Sequence, residues 1–126
     1  MQPLRGRRVL LGITAGIAAY KAAELARQAC DAHSTSDKPR FVIGSVGPGT
    51  KLVSLGQVDW DTMLASYRDQ IRGLLEGGAD ALIVETCQDI LQAKTAIHAA
   101  RRAFDACGRR VPLASVKARG DRPFLP

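Results

Sequence analysis

The amino-acid sequence predicts an α/β fold, a single parallel-sheet unit of order βαβαβαβ over residues 1–126. Short apolar runs alternate with amphipathic stretches and turn signals, the pattern of successive βα units. The run Ala81, Leu82, Ile83, Val84 lacks in/out alternation, so both its faces are expected to be covered, as in a parallel sheet. It stops at a carboxylate, Glu85, at the end of the strand where α/β sheets bind their ligands.

Taken in order, Val9 to Ile13 reads as a short first strand, and an Ala-rich helix follows through Thr14, Ala15 and Gly16 to about Ala32. His33 to Arg40 is a polar loop. Phe41 to Ser45 is the second strand. Val46 to Gln57 is a glycine-punctuated loop, longer than most connections and so a candidate binding loop. In the second helix Trp60, Leu64, Tyr67, Ile71 and Leu74 recur at alternating four- and three-residue spacings and draw one apolar stripe. Asp59 is its N-cap, Val58 is placed to staple against Met63, and Gly77 with Gly78 ends it in a left-handed turn. Strand three is Ala81 to Glu85. The third helix turns Ile90, Ala93, Ile97, Ala100, Phe104 and Cys107 inward, and Gly108 closes it. Val111 to Val116 is the fourth strand, and 117–126 is a basic tail.

The length suits one domain with a real core but not a complete eight-stranded α/β barrel, which needs ~250 residues. Hydrophobic content of 46% and charged content of 24% are those of a soluble globular protein. No apolar run approaches the ~20 residues that span a bilayer. The net charge of +6 sits in Arg5, Arg7, Arg8, Arg101, Arg102, Arg109, Arg110 and the tail, with few aromatics interleaved for base stacking. It reads as solvated charge at helix ends and termini, not as a nucleic-acid surface. Cys30, Cys87 and Cys107 are widely spaced and include no CxxC pair, which argues for a reducing, cytoplasmic setting. Arg5 to Arg8 before Val9 to Tyr20 imitates a signal peptide, but Gly12 and Gly16 interrupt the apolar run, so export is not expected.

Glu85 can hold a substrate ammonium, act as a general base or cap the following helix. Thr86 is itself a competent N-cap and Asp89 lies in the first turn, so a ligand role is favoured for Glu85. Gly44 to Gly49, GSVGPG, either lets backbone amides approach an anion or is a tight turn. Gly12 to Gly16, GITAG, could place a phosphate on a helix N-terminus, although it lacks the third glycine of a dinucleotide fingerprint. His33 and His98 have no partner at metal-ligand spacing and read as solvated. Cys87 is favoured as a packed small residue over a nucleophile.

The strings RQACDAHST, KPRFVIGSVGPGTKLVSLG, YRDQIRGLLEGGADALIVETCQDILQAK and ARRAFDACGRRVPL, over about residues 22–113, closely resemble the homocysteine S-methyltransferase domain of cobalamin-dependent methionine synthases. That resemblance implies part of a TIM (β/α)8 barrel. It implies that Glu85 of the VET motif binds the homocysteine amino group, with Thr86 beside it and Gly44, Ser45 and Gly47 lining the same mouth. The parent family also uses zinc, held by one cysteine and a vicinal cysteine pair, together with cobalamin. Those cysteine motifs are not in this sequence, so no cofactor is expected on the chain and isolated methyl transfer is not expected. A shorter segment, RRVLLGITAGIAAYKAAELAR over about residues 7–27, resembles the opening of flavin-dependent phosphopantothenoylcysteine decarboxylases. It implies, as an alternative, an FMN phosphate at Gly12, Thr14, Gly16 and Ile17. The overlap of the two resemblances suggests a chimera, a recombined gene or a remnant, and the last is a non-catalytic alternative. Open sheet edges make a homo-oligomer the expected partner besides the small-molecule substrate.

Overall fold

The computed structural model describes residues 11–12 and 16–116, with side chains from 18 to 115. Four strands, β1 (Leu11–Gly12), β2 (Ile43–Val46), β3 (Ala81–Glu85) and β4 (Leu113–Val116), alternate with three helices, α1 (Gly16–His33), α2 (Trp60–Glu76) and α3 (Ile90–Cys107). The strands lie in chain order, β1-β2-β3-β4, and every neighbouring pair is parallel. α2 packs against both α1 and α3, so the three helices form one layer on one face of the sheet. Equal-handed crossovers between successive neighbours produce this arrangement.

Sheet register sorts the side chains. Gly44 pairs with Leu82 and Val46 with Val84, and these positions face the helices. A Cβ on Gly44 would meet Leu74 and Leu82 side chains, and Val46, Leu82 and Val84 are all buried in the core. Ile43, Ser45, Ala81, Ile83 and Glu85 take the opposite face. The expectation that both faces of β3 are covered is therefore corrected: Leu82 and Val84 are buried, whereas Ala81, Ile83 and Glu85 are half-buried. Apolar residues on both faces show that both repel water, not which one carries the helices.

The first strand is seen as Leu11 and Gly12, and the expected Val9, Leu10 and Ile13 lie outside the described residues, as do Thr14 and Ala15. β2 starts two residues later than expected. Phe41 is exposed, and the Val42 backbone is taken by Asp80, whose amide donates to Val42 O at 2.8 Å while Asp80 Oδ2 accepts the Val42 amide at 2.7 Å. Arg27 Nη1 adds an ion pair to the same oxygen at 2.6 Å, tying α1 to the turn before β3. β4 begins at Leu113 instead of Val111, although Pro112 O already accepts the Leu82 amide.

α2 follows the sequence closely. Asp59 caps it by accepting the Thr62 amide at 2.8 Å, and Met63, Leu64, Tyr67, Ile71 and Leu74 are buried. Ile71 and Leu74 are fully enclosed, each contributing about 1.5–3 kcal/mol of hydrophobic stabilisation. Trp60 sits at the margin of this stripe, half-buried and edge-on to the His98 ring with centroids 5.9 Å apart. His98 thus has a ring neighbour, though it is exposed as expected. The left-handed turn after the helix falls on Gly78 (φ +94°), while Gly77 stays right-handed. Gly77 is required for another reason: a Cβ there would lie 2.5 Å from Tyr20 O and 2.6 Å from Ala23 Cβ, so it is the point of closest approach of α1. Arg109 closes the end of α2, donating through Nη1 to Leu75 O and through Nη2 to Ala79 O, both at 2.8 Å.

α3 is rotated from the expected face. Its buried residues are Gln92, Thr95, Ala96, Ala99, Ala100, Ala103 and Phe104, while Ile90 is exposed and Ala93, Ile97 and Cys107 are half-buried. Small side chains face α2 because they let two helices approach closely, and hydrophobicity alone points to the larger isoleucines. The cap is also corrected: Asp89, not Thr86, is the N-cap, accepting the Leu91 amide at 2.9 Å. Among the described residues no helix is long and apolar enough to cross a membrane.

Gly77→Ala is expected to destabilise the chain by about 1–3 kcal/mol, because the methyl group meets backbone that cannot rotate away. Urea denaturation followed by circular dichroism measures it, and an unchanged midpoint would show that α1 and α2 can separate at no cost.

Candidate functional site

The carboxyl ends of β2 and β3 bring together the residues that carry chemistry. Ser45 pairs with Ile83, so on the helix-free face it lies next to Glu85, and Ser45 Oγ donates to Glu85 Oε1 at 2.5 Å. Ser45 is buried and Glu85 half-buried, which leaves a charge-assisted bond sheltered from water on one side. Glu85 Oε2 has no protein hydrogen-bond donor among the described residues. The carboxylate is therefore oriented through one oxygen and available through the other.

Two backbone features shape the rim. Gly47 has φ +83° and precedes a cis bond to Pro48. A Cβ on Gly47 would lie 3.4 Å from Cys87 Sγ, 3.5 Å from Glu85 O and 3.6 Å from Tyr67 Oη, so this turn rests directly on the end of β3. Thr86 leaves β3 with φ +56°, a left-handed conformation that costs a β-branched residue roughly 1–2 kcal/mol. Such strain collects at functional sites.

The loop between β2 and α2 is held from outside. Tyr67 Oη accepts the Gly49 amide at 3.2 Å, Gln92 Nε2 donates to Gly49 O at 3.1 Å and Lys51 O at 3.4 Å, and Asp89 Oδ2 accepts the Ser54 amide at 3.1 Å. Burial pushes the Tyr67 hydroxyl above its usual pKa, against the opposing bond from Gly49. Burial also raises the Cys87 thiol, and the nearby Asp89 carboxylate adds to the effect. At Asp89 partial burial works against ionisation, but the bonds from Leu91 and Ser54 outweigh it and hold the carboxyl below its ordinary value.

Of the residues singled out in the sequence, Ser45, Gly47 and Glu85 converge, and Thr86 adjoins them with its side chain exposed. Gly44 does not join them: it faces Leu74 and Leu82, where its lack of a side chain serves helix packing. Gly12 ends β1 opposite Ser45 and Gly16 opens α1, with Ile17 next in that helix; Thr14 lies outside the described residues. Glu85 does not cap α3, since Asp89 does. Tyr67, Gln92 and Asp89 are the residues that sequence reasoning missed as loop anchors. The sequence held no signal for Gln92, which falls outside the apolar stripe drawn by Ile90, Ala93 and Ile97.

Among the described residues no three His, Cys, Asp or Glu side chains gather as a metal site. Cys30 lies on α1 and Cys107 in the last turn of α3, and only Cys87 is at the carboxyl end of the sheet, with its thiol held protonated. The described residues therefore do not fit the zinc of the methyltransferase barrels.

Residues 11–119 match the family model described as homocysteine S-methyltransferase. The chain belongs to this family. Among similar proteins, methionine synthase of Mycobacterium tuberculosis is 44% identical over 93 residues, covering 74% of this chain and 8% of that protein. Methionine synthase of Mycobacterium leprae is 46% identical over 89 residues, covering 71% of this chain and 7% of that protein. The chain thus spans less than a tenth of the length of these relatives. The match of this homocysteine S-methyltransferase segment includes β2, the glycine loop, α2, β3 and α3, which is all of the candidate site.

The Cys87 thiol is expected to react slowly with iodoacetamide at neutral pH and to gain reactivity only above the ordinary thiol pKa of about 8.5. Because its folded-state pKa is raised, its contribution to stability is intact below the unfolded value and is lost as pH climbs through the folded one. Peptide-resolved mass spectrometry across pH 7 to 10 separates it from Cys30 and Cys107; an inflection at or below that of unfolded chain contradicts it.

Proposed function

We propose that this chain is the homocysteine-facing part of a methyltransferase barrel, in which Glu85 takes the substrate's ammonium group. The observation that carries the reading is the Ser45–Glu85 bond, which fixes one carboxylate oxygen at the carboxyl end of β3 and leaves the other without a donor among the described residues. A half-buried carboxylate with one oxygen free suits a compact cation. Thr86 and the Gly47 turn form the rim, where backbone without bulky side chains gives the amino acid room.

A barrel setting accounts for the one-sided sheet. Strands in chain order, the described helices on one face, and a second face carrying Ile43, Ala81 and Ile83 are what an arc of a closed barrel would present, its inner face being covered by further strands. In this reading the exposed edges and inner face are covered by a second copy or by further strands, and the three free thiols belong in the reducing cytoplasm. Methyl transfer is not assigned to this chain alone, because the described residues offer no set of zinc ligands.

The FMN alternative has less support. The methyltransferase match begins at residue 11 and takes in Gly12, Gly16 and Ile17, so a flavin site there rests on the sequence resemblance. In that reading residues 7–27 are the first βα of a flavoprotein and 22–113 the methyltransferase segment.

Isothermal titration with homocysteine tests the Glu85 assignment. Removing a charge-assisted hydrogen bond costs about 1.5–3 kcal/mol, so Glu85→Gln is expected to weaken binding by roughly 10- to 150-fold. Ser45→Ala, which frees the carboxylate without deleting it, should have a smaller effect. Absence of wild-type heat, or equal affinity in Glu85→Gln, rules the assignment out.

A further inference from the structure

The loop from Gly47 to Gln57 is gripped by side chains of the helical layer at Gly49 and Lys51. Gly49 is held on both sides of its residue, its N–H by Tyr67 of α2 and its C=O by Gln92 of α3. A Cβ at Gly49 would lie 3.6 Å from Gln92 Nε2 and 3.7 Å from Tyr67 Oη, so both side chains are pressed against this residue. Gln92 is fully buried in a stripe otherwise made mostly of alanine, and its Oε1 has no hydrogen-bond partner among the described residues. An unpaired buried amide oxygen destabilises a core, and an apolar residue of similar volume would avoid that loss. What the glutamine gives in exchange is its Nε2, which reaches two carbonyls of a single loop.

We propose that Gln92 and Tyr67 are positioning residues of the candidate site: together they fix Gly49, and through it they hold the Gly47 turn against the end of β3 beside Glu85. The proposal rests on the reading of Glu85 as the homocysteine contact. Neither side chain touches the substrate. Their effect passes through the loop backbone, which has few other anchors: Ser54 is tied to Asp89, and internal bonds join Leu52 to Gln57 and Val53 to Gly56. Releasing Gly49 therefore loosens the segment next to the carboxylate while the helices stay packed.

Hydrogen exchange on the full 126-residue chain reads this directly. In Gln92→Leu the bonded loop amides of Gly49, Leu52, Ser54, Gly56 and Gln57 should exchange about tenfold faster or more, while the amides of α2 and α3 keep their wild-type protection. Tyr67→Phe deletes only a hydroxyl group, so it retains the fold and should accelerate Gly49 most. Homocysteine should bind both variants about tenfold more weakly than wild type. Unchanged loop exchange in both variants, or acceleration shared equally by all elements, overturns the positioning role. Full homocysteine affinity despite a loosened loop overturns the link to the site. If wild type takes up no homocysteine, the Glu85 reading falls, and the link to a homocysteine site falls with it.

Discussion

Asp80 fixes the alignment of β2 against β3, and the candidate site exists only in that alignment. Its amide and its carboxylate both engage the Val42 backbone, and Arg27 locks the carboxylate from α1. From that clamp the pairing runs Ile43 with Ala81, Ser45 with Ile83, and so to Glu85 on the face of Ser45. A slip of one residue would turn Glu85 towards the helices and Ser45 away from it, because successive side chains alternate across a sheet. The clamp joins three elements in a turn, where a carboxylate can accept from backbone and guanidinium at once. Its partial burial leaves these bonds less screened than a surface pair.

The helices cover one face, and this separates packing from chemistry. On the covered face Gly44, Val46, Leu82 and Val84 meet α2 and its buried Ile71 and Leu74, and the chain settles into a dense core there. On the other face the same strands carry the buried Ser45 beside the half-buried Glu85. Residues that depart from ordinary packing collect where the two regions meet at the carboxyl ends: Thr86 in a left-handed conformation, Cys87 with a raised pKa, and Gln92 with an unpaired oxygen. The Thr86 conformation and the unpaired Gln92 oxygen are locally unfavourable, and the well-packed helix layer supplies the stability that sustains them.

Much of the fold was legible in the sequence. The spacing of Leu64, Tyr67, Ile71 and Leu74, the Asp59 cap and the glycine pair at 77 and 78 located α2 nearly to the residue, since those signals act within a few positions along the chain. Strand β3 and its terminal Glu85 were equally plain, and the methyltransferase resemblance named the family that the match confirmed. The face of α3 was not legible, because Ile90 and Ile97 outweigh alanines on any hydrophobicity count, although alanines make the closer helix contact. Gly44 looked like part of the binding loop and proved to be a packing residue, a distinction that depends on Leu74 thirty positions away in the chain.

Local signals along the chain suffice for the alternation of strands and helices, the Asp59 cap of α2, and an acid where a buried strand ends. Packing in three dimensions put the described helices on one side of the sheet, set Ser45 rather than Gly44 beside Glu85, and brought Tyr67 and Gln92 across from the helices to hold Gly49. Those contacts join residues 18 to 43 positions apart. Local preferences along the chain leave such pairings open, and they are set when register and helix layer pack into a single arrangement.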